Sequence, residues 1–343
     1  MQIRIASFNV ENLTDEDGEP TIDLRTEVLR PQFERMNADI VCLQEVHAQD
    51  VGDGRALRAL DTVLAGTAYK HYERHFSTIE SGEPRRLRNL VTLTRFPIVE
   101  ADQVMNDLVG RIDIERLTGE DAGEIKEIGV ERPILHTTID AGAAGRLHVI
   151  NLHLKSRLPT TIAGEQDRDH RWRWLSAAGW AEGYFLSSLK RMTQALETRL
   201  LIDRILDTDP DAQIIVAGDL NADVDEVPVE AILGRTENTQ NPDLVGRVLF
   251  AVESTVPEPS RYTLFHQGRP SMLDHILVTR NLIGAYRSTE IHNELLHDES
   301  IAFATDDQYP ESDHAPVVAM FDFARVVDLR VTADEPEESL NRA

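Results

Sequence analysis

The chain has 343 residues, 41% hydrophobic and 28% charged, ordinary figures for a globular protein with a sizeable core. Its 35 basic and 60 acidic residues leave a net charge of −25, which repels polyanions at long range and argues against tight, non-specific coating of duplex nucleic acid. No run reaches the roughly 18 apolar residues of a membrane span, and the start "MQIRIASFNV" lacks a secretory layout, so the expected location is the cytoplasm.

In chain order, "IRIASFNV" (3–10) alternates as a strand. A helix follows over 24–37, with Pro31 kinking or restarting it. "DIVCLQEV" (39–46) is the next strand, and its Cys42, the single cysteine, reads as a core residue. "NLVTLTRFPIV" (89–99) reads as one strand, and 100–130 as an acidic loop. "PILHTTI" (133–139) and "RLHVINLHLK" (146–155) are strands. Residues 156–181 form an insert holding all three tryptophans, Trp172, Trp174 and Trp180, with Arg157, Arg168, Arg171 and Arg173. It reads as a substrate-contacting wall or as a loop anchored by its tryptophans. A helix over 182–206 carries an apolar stripe of Phe185, Leu189, Met192, Leu196 and Leu200. "QIIVAGDLN" (213–221), "LDHILVT" (273–279) and "PVVAMFDF" (316–323) complete the strands. Tyr262 and Phe265 stand before the second of these, and 290–313 reads as a solvated acidic loop. Residues 1–325 are taken as one domain and 326–343 as an acidic tail.

Many of these strands end alike. Asn9 and Glu11 follow the first, and Glu45 ends the second. Asn151, His153 and Lys155 alternate along the fifth. Asp219 and Asn221 close the sixth, Asp274 opens the seventh, and Asp313 and His314 precede the last. Buried carboxylates repel one another unless paired or metal-bound. This oxygen-rich set suits Mg²⁺ or Mn²⁺. The spacing matches no zinc motif, Walker loop, dinucleotide turn or nucleophile elbow.

The ordered motifs "SFNVEN", "ADIVCLQEV", "TRFPI", "NLHLKS", "GDLNAD", "LDHILV" and "SDHAPV" resemble those of the endonuclease/exonuclease/phosphatase superfamily, from residue 3 to about 323. The resemblance implies an α/β fold of the α+β type: a four-layer sandwich of two mixed β-sheets flanked by helices, with the site at one rim. It implies that Asn9, Glu45 and Asp313 hold Mg²⁺ or Mn²⁺, assisted by Glu11. Asp219 would orient and deprotonate the attacking water, and Asn221 would position water or phosphate. His314, oriented by Asp274, would bind the scissile phosphate; His153 and Arg132 would contact it. The expected activity is metal-dependent phosphoester hydrolysis by in-line water attack, on a small soluble phosphoester or nucleotide. A DNA or RNA nuclease stays open as an alternative, as does a catalytically inactive binding module. No obligate protein partner is expected.

Overall fold

Period-two burial along the long strands sorts their side chains between two layers. The computed structural model describes residues 1–324 except 17, 19, 171, 238 and 302–308. The tail 326–343 and part of the 290–313 segment therefore lie outside the described residues. One six-stranded sheet contains β1 (Gln2–Leu13), β2 (Ile40–Val46), β5 (Glu73–Phe76), β6 (Asn89–Thr94), β17 (Tyr286–Ile291) and β18 (Val317–Asp322). Its order is β17-β18-β1-β2-β6-β5. The other contains β7 (Ile98–Val104), β10 (Ile134–Asp140), β11 (Arg146–His153), β12 (Gln213–Asp219), β13 (Leu249–Ala251) and β16 (Asp274–Thr279). Its order is β13-β16-β12-β11-β10-β7. Three hairpins pair β3 (Gln49–Val51) with β4 (Gly54–Ala56), β8 (Ile112–Glu115) with β9 (Ile125–Ile128), and β14 (Leu264–His266) with β15 (Arg269–Ser271).

Both large sheets are mixed: β1 with β2 and β11 with β12 are parallel, and their other pairings are antiparallel. Ile5, Cys42, Val149, Ile215, Ile276 and Ala319 fill the space between the sheets. Phe8, Val41 and Leu43 turn outward to pack on Leu29 and Phe33 of α1 (Ile22–Met36) and Leu60 of α2 (Arg58–Leu64). Ile150, Leu152, Ile214 and Val216 pack on Ile202 and Leu206 of α3 (Ala177–Thr208) and Ile232 of α4 (Val227–Leu233). The result is helices, sheet, sheet, helices. A short α5 (Arg280–Ile283) follows β16.

Three expectations need correction. The apolar run 89–99 is two strands in different sheets, β6 and β7, with Pro97, which lacks an N–H for the ladder, between them. Residues 100–130 are not simply a loop, because β7 extends into them and β8 and β9 form a hairpin there. The stripe on α3 faces outward: Phe185 is 52% and Leu196 46% exposed. The face turned inward is largely polar, because it covers loops rather than strands alone. Glu197 accepts from the backbone N–H groups of Asn106, Asp107 and Leu108 at 3.1, 2.7 and 2.9 Å. Glu182 accepts from the Leu117 N–H and the Thr118 hydroxyl at 2.9 and 2.7 Å. These bonds give partners to donors, mostly backbone N–H groups, of the segments that α3 covers.

Candidate active site

The strands β1, β2, β11 and β12 all run toward one rim of the sandwich, and β16, running the other way, begins there. The inward positions that are apolar lower down become polar at that rim: Asn9, Gln44, Asn151, His153, Asp219 and Asp274, all buried. Side-chain hydrogen bonds stitch the sheets together here, among them Asn151 Nδ2 to the carbonyls of Leu43 and Val91 at 3.2 and 3.1 Å. Asn9 Nδ2 donates to Asp219 at 3.1 Å, and Gln44 Nε2 donates to Asn151 at 2.9 Å.

The strand ends are bent to present acids. β1 shifts register between Asn9 and Leu13, with Glu11 at φ 44° and Asn12 at φ 46°. β2 shifts between Leu43 and Val46, with Glu45 at φ 62°. Left-handed backbone at non-glycine residues costs about 1–3 kcal/mol each and persists only where the surroundings impose it. Here they do: buried Arg25 of α1 donates to the carbonyls of Val10 and Glu11, and the Asn12 N–H donates to Glu45 at 3.1 Å. Gly218 has φ 155°, and a Cβ there would lie 2.0 Å from the Leu152 carbonyl oxygen. Glycine at that point lets β12 approach β11 and carry Asp219 to the rim.

Asp219 is surrounded by donors. Its Oδ1 accepts from the Asn221 N–H at 2.9 Å. Its Oδ2 accepts from Asn9 and Asn221 side chains, each at 3.1 Å, and lies 3.2 Å from His153 Nε2. Burial alone would raise its pKa, but the charge of His314, then His153 and the Asn221 N–H, hold it well below the usual carboxylate range. His153 is held below its ordinary value by burial and by Arg132. Its Nε2 faces Asp219, and His153, then Arg88 and Arg132, lower the Glu45 pKa against its own burial.

His314 Nδ1 meets Asp274 Oδ2 at 2.7 Å, both buried, and its Nε2 faces Asp219 at 3.9 Å. Burial opposes its charge, yet Asp274 and Asp219 raise its pKa well above the ordinary histidine value. The two carboxylates favour the charged form of the ring. Thr263 Oγ1 accepts the N–H of Asp274 at 3.2 Å, fixing the carboxylate's strand end.

Beside this relay lies an acidic group with unmet charge. Asp313 has a buried Oδ1 with no hydrogen-bond partner. Burial, then Glu11, raises its pKa well above the carboxylate range. Glu11 accepts from the Asp313 N–H at 3.0 Å and is itself raised, by burial first. An orphaned buried carboxylate oxygen among other carboxylates fits a hard divalent cation with oxygen ligands. Asp219, Asp274 and His314 also offer ligand atoms within 4.8 Å of one another. Within that group, His314 and Asp274 are joined by a hydrogen bond of 2.7 Å.

Arg132 is half-buried; it donates to the Leu154 carbonyl at 2.9 Å and its charge acts on Glu45 and Asp219. Lys155, on the strand's extension, is pulled down to about 8 by burial and Arg132. Three supporting residues escaped the sequence reading. Ser312 donates to the Asn9 carbonyl at 2.7 Å and accepts the His314 N–H at 3.1 Å. Gln194 of α3 reaches the His153 carbonyl at 3.4 Å. Arg25 is the third. Ser312 stands within the "SDH" motif; nothing marks the other two. Tyr262 and Phe265 contact each other with ring centroids 6.0 Å apart.

The insert is anchored and exposed at once. Trp174 packs on Ile128, Ile162 and Leu186. Trp180 is 47% exposed and stacks on Tyr184 with centroids 5.6 Å apart. Arg157 donates to the Asn221 carbonyl at 3.1 Å, tying the insert to the rim. Arg171 lies outside the described residues.

A sequence model described as the Endonuclease/Exonuclease/phosphatase family matches residues 6–314. Comparison with curated proteins gives no match. Among solved structures, truncated TDP2 of Caenorhabditis elegans is 16% identical with a TM-score of 0.53, covering 93% of this chain and 97% of that one. An endonuclease/exonuclease/phosphatase from Bacteroides vulgatus is 17% identical with a TM-score of 0.54, covering 94% and 99%. The 3′ phosphatase NExo from Neisseria, bound to a product DNA hairpin, is 16% identical with a TM-score of 0.51, covering 93% and 99%. These likenesses show a shared fold. No helix among the described residues is long and apolar enough to cross a membrane.

Proposed function

The chain belongs to the endonuclease/exonuclease/phosphatase family and is a metal-dependent phosphoester hydrolase, and we propose that it is a phosphodiesterase acting on a small soluble phosphoester or a nucleotide. The observation that carries this choice is the pairing of cations around the site. Arg157 is ion-paired with Asp223 and Glu226, Arg88 with Glu45, Arg86 with Glu16, and Lys190 with Glu131. With a net charge of −25, little basic surface is left to follow a polyanionic backbone. Arg132 and Lys155, next to His153, suffice for one substrate phosphate.

In this reading Asn9, Glu45 and Asp313, with Glu11, hold Mg²⁺ or Mn²⁺. The bound ion neutralises charge on the phosphoryl oxygens. Asp219, kept ionised, orients the attacking water and takes its proton. Asn221 fixes both Asp219 and the position of water or phosphate. His314, kept cationic by Asp274, donates to a non-bridging oxygen, where charge builds in the transition state. His153 steadies Asp219 and, with Arg132, borders the phosphate.

One feature favours a nuclease as the second reading: the exposed Trp180–Tyr184 stack could hold bases. It lies along α3, ten residues or roughly 15 Å from Gln194, which touches the His153 carbonyl. The test compares hydrolysis of bis(p-nitrophenyl) phosphate with nicking of supercoiled plasmid, both with Mg²⁺ or Mn²⁺ at near-physiological salt, with Asp219→Ala as control. Turnover of the small diester with little nicking is expected. Efficient metal-dependent nicking, lost in the control, would establish the nuclease instead.

A further inference from the structure

A second cluster of ligating side chains lies far from the rim, and the catalytic reading does not use it. His136 on β10 and His148 on β11 share the outer face of their sheet as diagonal neighbours, since His148 is opposite Thr138 in the ladder. His136 Nε2 and His148 Nδ1 are 3.1 Å apart, and the rings are stacked at 5.4 Å. Both are half-buried and line a cavity of about 480 Å³ between the sheet and the C-terminal end of α3. Glu100, Asp209 and Asp211 line the same cavity, together with Arg146 and Arg204. Asp102 is opposite His136 on β7. The pair is five residues from His153 along β11, roughly 16 Å at strand rise.

We infer that this cavity is a second metal site, one that takes a borderline divalent cation such as Zn²⁺ or Cu²⁺ through His136 and His148. His136 Nε2 and His148 Nδ1 share a hydrogen bond at 3.1 Å, and an ion would replace it, since that separation is near the spacing of neighbouring ligands with metal–nitrogen bonds of about 2.0–2.1 Å. Imidazole selects Zn²⁺ and Cu²⁺ over Mg²⁺, so the site is chemically distinct from the oxygen-rich rim. Burial and the neighbouring histidines hold His136 down to about 4, and burial lowers His148 too, so neither ring must lose a proton to bind at neutral pH. The carboxylates of Glu100 and Asp209 act on His148 against Arg146, and that of Asp102 acts on His136 against the neighbouring histidines. Among the described residues, the only set of three such side chains already drawn together is Asp219, Asp274 and His314. The pair therefore binds with two nitrogens while water completes the coordination. The bound ion crosslinks β10 to β11.

The test titrates the whole protein with Cu²⁺ in saturating Mg²⁺ and reads electron paramagnetic resonance. One equivalent with a two-nitrogen splitting is expected, and it should be lost in His148→Ala and in His136→Gln. Mg²⁺-dependent turnover should be unchanged in both variants, which also certifies that they fold. Zn²⁺ should raise the thermal midpoint of the parent and not of either variant. The same copper signal in parent and variants, or no two-nitrogen signal in the parent, overturns the assignment.

Discussion

Asp274→Asn isolates the relay behind the reacting phosphate. The substitution keeps the size of the side chain and removes the charge that faces His314 Nδ1 at 2.7 Å in a buried setting. A hydrogen bond to a charged group contributes about 1.5–3 kcal/mol, equivalent to about one to two pKa units. His314, now raised well above the ordinary value, should fall by that amount. If the imidazolium acts in the transition state, the same energy is roughly 10- to 150-fold in rate. Because the raised pKa keeps the proton on His314, the loss should be smallest in acid and grow as pH rises through the lowered value. The assay is kcat against pH with bis(p-nitrophenyl) phosphate and Mn²⁺, with a thermal melt to confirm folding. A folded variant whose rate and alkaline limb match the parent would refute the cationic role of His314.

Three other outcomes are expected. Glu45→Gln should raise the metal concentration for half-maximal turnover by at least about tenfold; an unchanged metal titration would remove Glu45 from the ligand set. Gly218→Ala should destabilise by about 2–4 kcal/mol, because its Cβ would sit against the Leu152 carbonyl oxygen; a urea midpoint equal to the parent's would contradict that contact. His275 is buried 2.6 Å from Glu253. Burial opposes its charge, but Glu253 prevails and its pKa is raised. That stabilisation is complete below the unfolded-state pKa and is lost as pH rises through the folded one. His275→Gln should therefore cost about 3–5 kcal/mol on the acid side and less in alkali, as paired urea melts would record.

The rim was legible in the sequence where strand periodicity held. Asn9 follows Ile5 and Ser7 on one face, and Asp219 follows Ile215 and Ala217, so alternation alone sends them inward together. Glu45 and Glu11 were legible only as motif members, because the bends that aim them break the alternation. Arg25 was not legible, since an arginine on an amphipathic helix ordinarily reads as solvated. The stripe on α3 misled for a related reason. Apolar periodicity finds the buried face only when the neighbour is an apolar surface, and α3 also covers backbone donors that call for Glu182 and Glu197. The β8–β9 hairpin, "IDIE" and "IKEI", is short and charged, and half of its side chains meet water.

The pairing of β1 with β18 brings Asn9 within one hydrogen bond of Ser312, across 303 positions of chain. Contacts of such long range form late, because closing so large a loop is entropically costly. A chain emerging during synthesis can assemble most of both sheets while Asn9, Glu45 and Asp219 remain apart from Asp313 and His314. Hydrolytic competence thus arrives as a final event, when the last strand slots between the first and β17. In a refolding experiment, the return of turnover should mark the end of folding, after the tryptophans have settled.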